Sequence, residues 1–216
     1  MVNQHKKGFY EKYIKTPQDV VLAAVALIVL SPVMLLVAIL VRIKLGAPVI
    51  FKQERAGKGG KPFYMYKFRS MADTRDTNGD LLPDEQRLGR FGKILRSTSL
   101  DELPSMWNVL TMSCSLCGPR ALYTKYVSRY SSEQARRLEV RPGITGLAQV
   151  NGRNAISWEK RFEYDVRYVD NITFVGDWKI MFQTVGKVLK RDGITSATSV
   201  TMEEFMGSAE EVCIHE

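Results

Sequence analysis

The chain of 216 residues is poor in the side chains that bind transition metals, with only two histidines and three cysteines. The histidines, His5 and His215, are far in sequence from the single C-x-x-C pair of Cys114 and Cys117. Because a structural zinc ion needs four such ligands at suitable spacing, the sequence excludes the zinc-finger classes. A redox pair stays open as an alternative, but the pattern favours two small buried thiols in a cytosolic domain.

Internal repeats, low-complexity tracts and a DNA-reading helix-turn-helix are also absent from the sequence. The net charge of +8 is unevenly distributed, with nine Lys or Arg and two acidic residues between Arg42 and Arg75. The last 14 residues instead contain five Glu and no Lys or Arg. Without a nucleic-acid motif, the basic block favours anionic lipid or a phosphorylated substrate, and we predict no nucleic-acid partner.

One long hydrophobic run is present: residues 20–41 form a stretch of 22 residues without a charge. As a helix this run is about 33 Å long at ~1.5 Å per residue, close to the ~30 Å hydrocarbon core of a bilayer. The run argues against a cleavable signal peptide because it is too long, starts late and lacks a small-residue cleavage pattern. The sequence therefore predicts one segment in lipid, joined to a single domain with its own core.

The centre of this run, Ser31-Pro32, predicts a kink, because proline removes a backbone donor and clashes with the preceding turn. The Ser31 hydroxyl can donate to a carbonyl one turn earlier. Basic residues prefer the cytoplasmic side. A re-entrant hairpin keeps both flanks there, whereas a single-pass anchor places one flank outside, and composition leaves both topologies open. The flanking basic residues are Lys6, Lys7, Lys12 and Lys15 before the run and Arg42, Lys44, Lys52 and Arg55 after it.

The remaining sequence predicts a mostly helical α/β domain with a small sheet. The helix over 177–190 is amphipathic, and residues 1–16 carry basic and aromatic side chains suited to a membrane interface. Both are candidate interfacial helices, although the 177–190 helix fits packing on the core equally well. The predicted elements are strands at 48–52 and 63–71, a polar loop at 72–86, and helices at 88–96, 104–110, 122–138, 158–169 and 177–190.

Asp101 and Glu102 are the candidate catalytic residues. They follow Ser99 and precede Pro104, so that Ser99 and Glu102 fit a capping box at the start of a helix. A carboxylate there lies at the positive end of the helix dipole, which favours its ionised form and a phosphate nearby. An ionised Asp101 can attack phosphorus, while Glu102 can take a proton or help to hold a metal.

Several basic residues are candidates for binding phosphate. Arginine binds phosphate in a bidentate manner, and turns with glycine allow backbone N–H groups to approach the same oxygens. Five arginines in or beside Gly-, Pro- or Ser-containing turns, around one carboxylate pair, predict a pyrophosphate site. The candidates are Arg69, Arg96, Arg120, Arg141 and Arg153, together with Lys67.

Nearly the whole chain resembles the bacterial sugar transferase family, specifically its small monotopic phosphoglycosyl transferases. The segment Thr201-Met202-Glu203-Glu204-Phe205 is also similar to the subgroup that handles UDP-diacetylbacillosamine in protein glycosylation. The family motifs are Ser31-Pro32, Phe51-x-Gln53-x-Arg55-x-Gly57-x-x-Gly60, Lys67-Phe68-Arg69-Ser70-Met71, Arg96-x-x-x-x-Asp101-Glu102-Leu103-Pro104, Asn108-Val109-Leu110, Gly118-Pro119-Arg120 and Arg141-Pro142-Gly143-Ile144-Thr145-Gly146.

The resemblance implies that Asp101 attacks the sugar-linked phosphorus of a UDP-sugar, with Mg²⁺ held at Asp101 and Glu102, and that UMP is released. The phospho-sugar then passes to polyprenyl (undecaprenyl) phosphate, as the first membrane step of glycoconjugate biosynthesis. A UDP-N-acetylated amino sugar is the donor implied by the subgroup. The family also implies a re-entrant helix kinked at Ser31-Pro32, on the cytoplasmic face of the bacterial inner membrane.

The sequence departs from the family pattern at Met112-Ser113, where Gly-Asp is usual. We expect a basic entry segment and membrane helix over 1–45, a cytosolic catalytic domain over 46–202 and an acidic tail over 203–216. Two rival functions are a non-catalytic docking module that binds anionic lipid and a single-pass receptor or adaptor. A docking module would tolerate the loss of the Asp101 carboxylate, whereas the enzyme would not.

Overall fold

The computed structural model describes residues 5–152, 156–190 and 204–207, so the predicted site residue Arg153 lies outside the described residues. The mostly helical α/β class with a small sheet is confirmed. The helices are α1 (Lys15–Leu45), α2 (Asp84–Arg87), α3 (Arg90–Ser97), α4 (Met106–Leu110), α5 (Ser132–Ala135), α6 (Leu147–Val150), α7 (Trp158–Asp170) and α8 (Phe174–Lys190). The strands are β1 (Ile50–Ala56), β2 (Pro62–Phe68), β3 (Ser115–Cys117) and β4 (Gly143–Thr145).

A π-helical turn over Tyr10–Ile14 continues into α1, and together they form a 36-residue helix long and apolar enough to cross a membrane. Only 11% of its most apolar window, of mean hydropathy 3.0, is buried against the protein. The helix continues through Pro32, and the Ser31 hydroxyl donates to the Ile28 carbonyl at 2.7 Å, as the sequence predicts. Exposure of this many apolar side chains suits contact with lipid.

Both ends of α1 pack against the rest of the domain. Ala23, in the first half of the helix, is fully buried, as is Val41 near its end. Between them, apolar side chains such as Ile28 and Leu35 are exposed. Ala23 belongs to a hydrophobic cluster with Met65, Val109, Cys114 and Ala121. Val37 and Val41 belong to a second cluster with Phe68 and Leu95.

β1 and β2 form an antiparallel hairpin in which Ile50 pairs with Phe68 and Ala56 pairs with Pro62. The first strand begins later than the predicted 48–52, since Pro48 has no N–H to donate to a ladder. The second ends at Phe68, before the predicted Met71, although the Arg69 N–H still donates to the Val49 carbonyl at 2.9 Å. The hairpin places Lys67 near its end, facing the candidate catalytic residues.

β3 and β4 form a short parallel pair, and the glycines of two family motifs meet there. A Cβ added to Gly143 would lie 2.1 Å from the backbone N of Gly118, and one added to Gly146 would lie 2.1 Å from the Gly118 carbonyl oxygen. Any side chain at these positions would separate the two backbones. The close approach therefore fixes the turn that carries Arg120.

The single helix predicted over 122–138 is wrong. The structure has a 3₁₀-helix at Thr124–Arg129, then α5, then a second 3₁₀-helix at Arg136–Glu139. The break occurs because Tyr130 is extended and Ser131 starts a new helix, with its hydroxyl accepting from the Gln134 N–H at 3.2 Å. The helices predicted over 88–96, 158–169 and 177–190 are confirmed with small shifts as α3, α7 and α8.

The C-x-x-C cysteines are free and buried, which confirms their interpretation as small buried thiols. Burial raises the pKa of the Cys114 thiol to about 12, and burial also raises the pKa of Cys117. Because the thiolate is the reactive form of cysteine, a raised pKa makes both thiols unreactive at neutral pH.

The first part of the tail packs on the domain. Phe205 is 2% exposed and lies in an aromatic cluster with Tyr126, Tyr130, Trp158 and Phe162. The carboxylate of Glu204 pairs with Lys125 at 2.7 Å and with Arg129 at 2.8 Å.

Met112 occupies the left-handed region, with φ of 60°, at the position where the family usually has glycine. A side chain in this region costs about 1–2 kcal/mol, and glycine's extra freedom in the unfolded chain offsets part of the gain. We expect Met112→Gly to raise the free energy of unfolding by about 0.5–1 kcal/mol, measured by thermal or denaturant unfolding in detergent. The control is Thr111→Gly, at φ of −83°, which should be destabilising; a loss of stability in Met112→Gly would contradict the prediction.

Candidate active site

A cavity beside the 3₁₀-helix Leu100–Ser105 brings together charged residues from four parts of the chain. Glu102 lies on that helix, Lys67 on β2 and Arg120 on the turn after β3. The residues lining the cavity are Arg55, Met65, Lys67, Glu102, Ser105, Arg120, Ala121, Gly143 and Ile144. Two of the predicted phosphate-binding residues, Lys67 and Arg120, therefore lie together with Glu102.

Side-chain hydrogen bonds attach the 3₁₀-helix, and the helix α4 that follows it, to β2. The Ser105 hydroxyl donates to the Tyr66 carbonyl at 2.7 Å. The Asn108 amide donates to the Tyr64 carbonyl at 2.8 Å, and its oxygen accepts from the Tyr66 N–H at 3.1 Å. Because Asn108 is 2% exposed, its bonds are shielded from water and hold α4 and β2 in a fixed relative position.

The predicted capping box at Ser99 and Glu102 is wrong. Ser99 is itself in the left-handed region, with φ of 56°, and its side chain makes no cap to the helix. The Glu102 side chain instead accepts from Lys67 Nζ at 2.6 Å and from Arg120 Nη2 at 2.9 Å. A cap would have turned the carboxylate back on its own backbone, whereas here it faces the cavity.

Glu102 is held as an anion. Burial alone would raise the pKa of its carboxyl, but the adjacent Lys67 ammonium and Arg120 guanidinium outweigh burial and hold that pKa well below its usual range. One carboxylate oxygen accepts from both cations, so Glu102 positions them on one side of the cavity. A carboxylate with such a low pKa is a weak base.

Asp101 has the opposite electrostatic character. It is 8% exposed, and burial, followed by repulsion from Glu102, raises its pKa to about 6, against the opposing effect of Lys67, Arg96 and Arg120. With this pKa Asp101 is still mostly ionised at pH 7, although desolvation raises its pKa whereas a helix dipole would lower it. Two adjacent carboxylates with pKa values shifted apart are a common mark of divided catalytic roles.

Arg96, on α3, and Arg69, directly after β2, are two further predicted phosphate-binding residues. Arg96 Nε donates to the Ser70 hydroxyl at 3.0 Å, and its charge acts on Asp101. Arg69 is 8% exposed and donates to the carbonyl oxygens of Ala47 at 2.6 Å and Met71 at 3.0 Å. The Arg69 guanidinium therefore holds two loops together in this structure.

Arg141 is not brought to this cavity. Its Nη2 donates to the Thr16 hydroxyl at 2.6 Å, at the start of α1, and it lines a different cavity. Two residues of the family motif Arg141-Pro142-Gly143 thus line different cavities, since Gly143 lines the cavity of Glu102 and Arg141 does not.

Sequence reasoning missed Arg55 as a site residue. It lies near the end of strand β1 and lines the cavity of Glu102. Its guanidinium is 4.0 Å from the ring centroid of Tyr123. Its Nη2 donates to Gln53 Oε1 at 2.5 Å. The signal was present in the motif Phe51-x-Gln53-x-Arg55, but the sequence analysis grouped Arg55 with the basic residues that flank the membrane run.

The donor set of this region fits Mg²⁺ in the way that phosphate-bound magnesium is held in proteins. Among residues 5–152, 156–190 and 204–207 no three His, Cys, Asp or Glu side chains cluster as a metal cage. Asp101 and Glu102 nevertheless offer carboxylate oxygens, and Mg²⁺ is commonly bound by one or two carboxylates together with substrate phosphates and water.

Similarity to known proteins extends over most of the chain. The sequence model of the family described as bacterial sugar transferase matches residues 10–191, which include the long apolar helix and the Asp101–Glu102 region. An uncharacterized sugar transferase of Bacillus subtilis, EpsL, is 54% identical over 189 residues, covering 87% of this chain and 94% of the relative.

Two further relatives are longer proteins with named activities. The UDP-glucose:undecaprenyl-phosphate glucose-1-phosphate transferase of Xanthomonas campestris is 40% identical over 187 residues, which cover 81% of this chain and 38% of the relative. The UDP-N-acetylgalactosamine-undecaprenyl-phosphate N-acetylgalactosaminephosphotransferase of Aeromonas hydrophila is 37% identical over 185 residues, which cover 82% and 44%. The chain thus spans less than half the length of these two relatives. Together with the family match, the similarity shows that the chain belongs to the bacterial sugar transferase family and is a transferase.

Proposed function

We propose that the chain is a phosphoglycosyl transferase, a polyprenyl-phosphate sugar-1-phosphate transferase that moves a phospho-sugar from a UDP-sugar to undecaprenyl phosphate and releases UMP. The observation that carries the proposal is the buried Asp101 beside Glu102, Lys67 and Arg120, in a protein with a long exposed apolar helix. The named relatives, which act on UDP-glucose or UDP-N-acetylgalactosamine and undecaprenyl phosphate, support the reaction class. The reaction is a membrane step of glycoconjugate biosynthesis.

In the first step, a carboxylate oxygen of Asp101 attacks the sugar-linked phosphorus of the UDP-sugar. The bond from this phosphorus to the bridging oxygen of the diphosphate breaks, and UMP leaves with the electron pair. An acyl phosphate then joins Asp101 to the sugar. Lys67 and Arg120 lie where they offset the negative charge of the diphosphate, and Arg55 adds a third cation to the same cavity.

In the second step, a phosphate oxygen of undecaprenyl phosphate attacks the same phosphorus, and the Asp101 carboxylate leaves. The product is a membrane-bound polyprenyl diphosphate sugar. The low pKa of Glu102 makes it a poor proton acceptor, so we assign it the positioning of Lys67 and Arg120 and a share in holding the metal. Mg²⁺, when bound at Asp101 and Glu102, would neutralise diphosphate charge.

The helix α1 is proposed to be re-entrant and to keep its two ends on the cytoplasmic face of the bacterial inner membrane. Its first half contacts the domain through Ala23 and its last part through Val41. If the domain lies on one side of the bilayer, contacts at both places support a chain that returns to that side. Ser31 and Pro32 lie between these contacts, in the exposed apolar part. The basic residues on both flanks agree with this topology.

We expect the single-cysteine variants Lys6→Cys and Lys44→Cys to be protected from a membrane-impermeant maleimide in intact cells, since the re-entrant topology keeps both flanks inside. Both side chains are exposed to solvent in the structure, so both should react after cell lysis. The background is Cys213→Ser, because Cys114 and Cys117 are buried. Labelling of either site from outside intact cells would establish a single-pass anchor instead.

The proposed function is tested by UMP release from a panel of UDP-sugars, with Mg²⁺ and undecaprenyl phosphate. The panel includes UDP-glucose, UDP-galactose, UDP-N-acetylgalactosamine and UDP-diacetylbacillosamine, since the segment that ends at Phe205 is similar to the bacillosamine subgroup. A donor that yields UMP and a lipid-linked phospho-sugar identifies both activity and sugar. Without acceptor, the covalent route predicts one UMP per enzyme and a phospho-sugar attached to Asp101; the absence of this burst with the active donor would contradict the covalent step.

The first step should slow as the pH falls through about 6. Asp101 must be ionised to attack, and burial raises its pKa to about 6, so the ionised fraction is about tenfold smaller at pH 5 than at pH 7. We expect the rate of the UMP burst without acceptor to fall about tenfold over this interval and to level off above pH 7. The half-reaction avoids the titration of the acceptor phosphate near pH 6; a burst rate equal at pH 5 and pH 7 would contradict the prediction.

A further inference from the structure

A second cavity, of about 60 Å³, lies at the start of α1 and shares no lining residue with the cavity of Glu102. Three separate chain segments each contribute one cation to its wall. Lys7 precedes the helix, Lys58 lies in the 3₁₀ turn between β1 and β2, and Arg141 lies just before β4. The fold therefore brings these three charges together from distant points in the sequence.

The other charged residues that line this cavity already have partners. The Lys15 ammonium is 2.5 Å from Asp177 Oδ2, and the Glu11 carboxylate is 2.5 Å from His5 Nε2. Arg141 donates to the neutral Thr16 hydroxyl, and its charge also acts on the buried Asp19 carboxylate, which pairs with Lys15. Glu11 is thus the one carboxylate in the lining, and it faces a surplus of cations.

Like charges placed together raise the free energy of the protein unless an anion joins them. The proximity is close enough for Lys7 to matter to Lys58, since burial and then repulsion from Lys7 lower the pKa of Lys58. Glu11 opposes this shift, and Arg141 adds to it. On a solvated surface the side chains of Lys7 and Lys58 would move apart. Their proximity to each other and to Arg141 is therefore more typical of a site that binds an anion.

We propose that Lys7, Lys58 and Arg141 form a binding site for a phosphate group at the membrane surface, separate from the site of sugar transfer. The volume admits about four water-sized groups at ~10–15 Å³ each, which suits the oxygens of one phosphate. Lysine and arginine side chains commonly bind phosphate in proteins.

The position of this site favours a lipid headgroup as the source of the phosphate. Phe9 and Tyr13 follow Lys7 by two and six residues and are 73% and 55% exposed, and exposed aromatics of this kind lie at the headgroup level of bilayers. Phe174, at the start of α8, is also half exposed and contacts Tyr10. Free phosphate is the alternative source of the same chemistry. The inference rests on binding alone and does not depend on the proposed transferase reaction.

The experiment measures ligand retention by the purified full chain in detergent, using native mass spectrometry. The probes are dioleoyl phosphatidylglycerol, inorganic phosphate and, as a lipid without phosphate, dioleoylglycerol. The site variant is the double substitution Lys7→Gln and Lys58→Gln; both side chains are exposed, so the fold should be kept. The matched control is Arg90→Gln with Lys93→Gln, which removes two exposed cations outside the cavity.

We expect the site variant to weaken phosphatidylglycerol retention at least tenfold, while the control stays within twofold of the unchanged chain. Arg141→Gln should show the same loss. If inorganic phosphate alone shows this dependence, the phosphate site is supported with a soluble source. Equal retention in the site and control variants, or equal retention of dioleoylglycerol, would overturn the proposal.

A second readout separates binding from a structural role. Removing like charges relieves repulsion, so the site variant without added phosphate should unfold at the same temperature as the unchanged chain or higher. A lower unfolding temperature would show that the two lysines stabilise the fold and would count against a ligand site.

Discussion

Replacing Asp101 by Asn should reduce turnover by a factor of roughly 10⁴–10⁶, as expected for the loss of a covalent nucleophile. Asn has the same shape as Asp but offers a neutral amide, which is a poor nucleophile toward phosphorus. Asp101 is 8% exposed and burial raises its pKa, so a neutral side chain is tolerated there and the fold should be preserved. The measurement is UMP release with the active UDP-sugar and undecaprenyl phosphate.

Two matched variants sharpen this result. Asp73→Asn removes an exposed carboxylate, 57% accessible, that pairs with Arg69 and Arg87, and its turnover should stay within about threefold. Glu102→Gln keeps the nucleophile but weakens the anchor of Lys67 and Arg120, so it should lose less than Asp101→Asn and still form the covalent species. Retention of more than a tenth of the turnover in Asp101→Asn would contradict the role of Asp101 as the covalent nucleophile.

The elements predicted well from the sequence are those with a strong local pattern. The charge-free run at residues 20–41 and the hydrogen bond of Ser31 follow from local chemistry alone. The amphipathic helices α7 and α8 follow from their period. The helix expected over 122–138 failed because its aromatic period serves a cluster completed by Phe205, some 70 residues later, which no local window contains.

The candidate site shows the same division. Motifs identified Asp101, Glu102, Lys67 and Arg120, which lie together. The raised pKa of Asp101 does not follow from the motif, because its burial depends on how Ser105, on the 3₁₀-helix, and Asn108, on α4, attach this region to β2. Arg141 was grouped with the others by its motif, although its partner, Thr16, is 125 positions away in the sequence. Turn composition indicates that an arginine can bind phosphate, but only tertiary packing decides which cavity it enters.

The buried polar network that joins α1 to α8 sets the second large expectation. The Lys15 ammonium lies 2.5 Å from Asp177 Oδ2 and 3.6 Å from Asp19 Oδ2, and all three side chains are at most 7% exposed. Tyr10 and Tyr168 complete the shell of Asp177, donating at 2.9 and 2.8 Å. Lys15 thus pairs with both buried carboxylates, and the charge of Arg141 also acts on Asp19.

Lys15→Met should lower the free energy of unfolding by about 3–5 kcal/mol, because it leaves Asp19 and Asp177 buried without their cation. Thermal or denaturant unfolding in detergent measures the change, and Lys12→Met, at an exposed lysine one turn earlier, is the matched control. Adding Asp177→Asn to Lys15→Met should restore part of the free energy of unfolding, since the added substitution removes one of the two buried carboxylates that lack a cation. Equal stability of Lys15→Met and Lys12→Met would mean that the carboxylates take up protons or water at little cost. The network would then not be what holds the start of the membrane helix to α8.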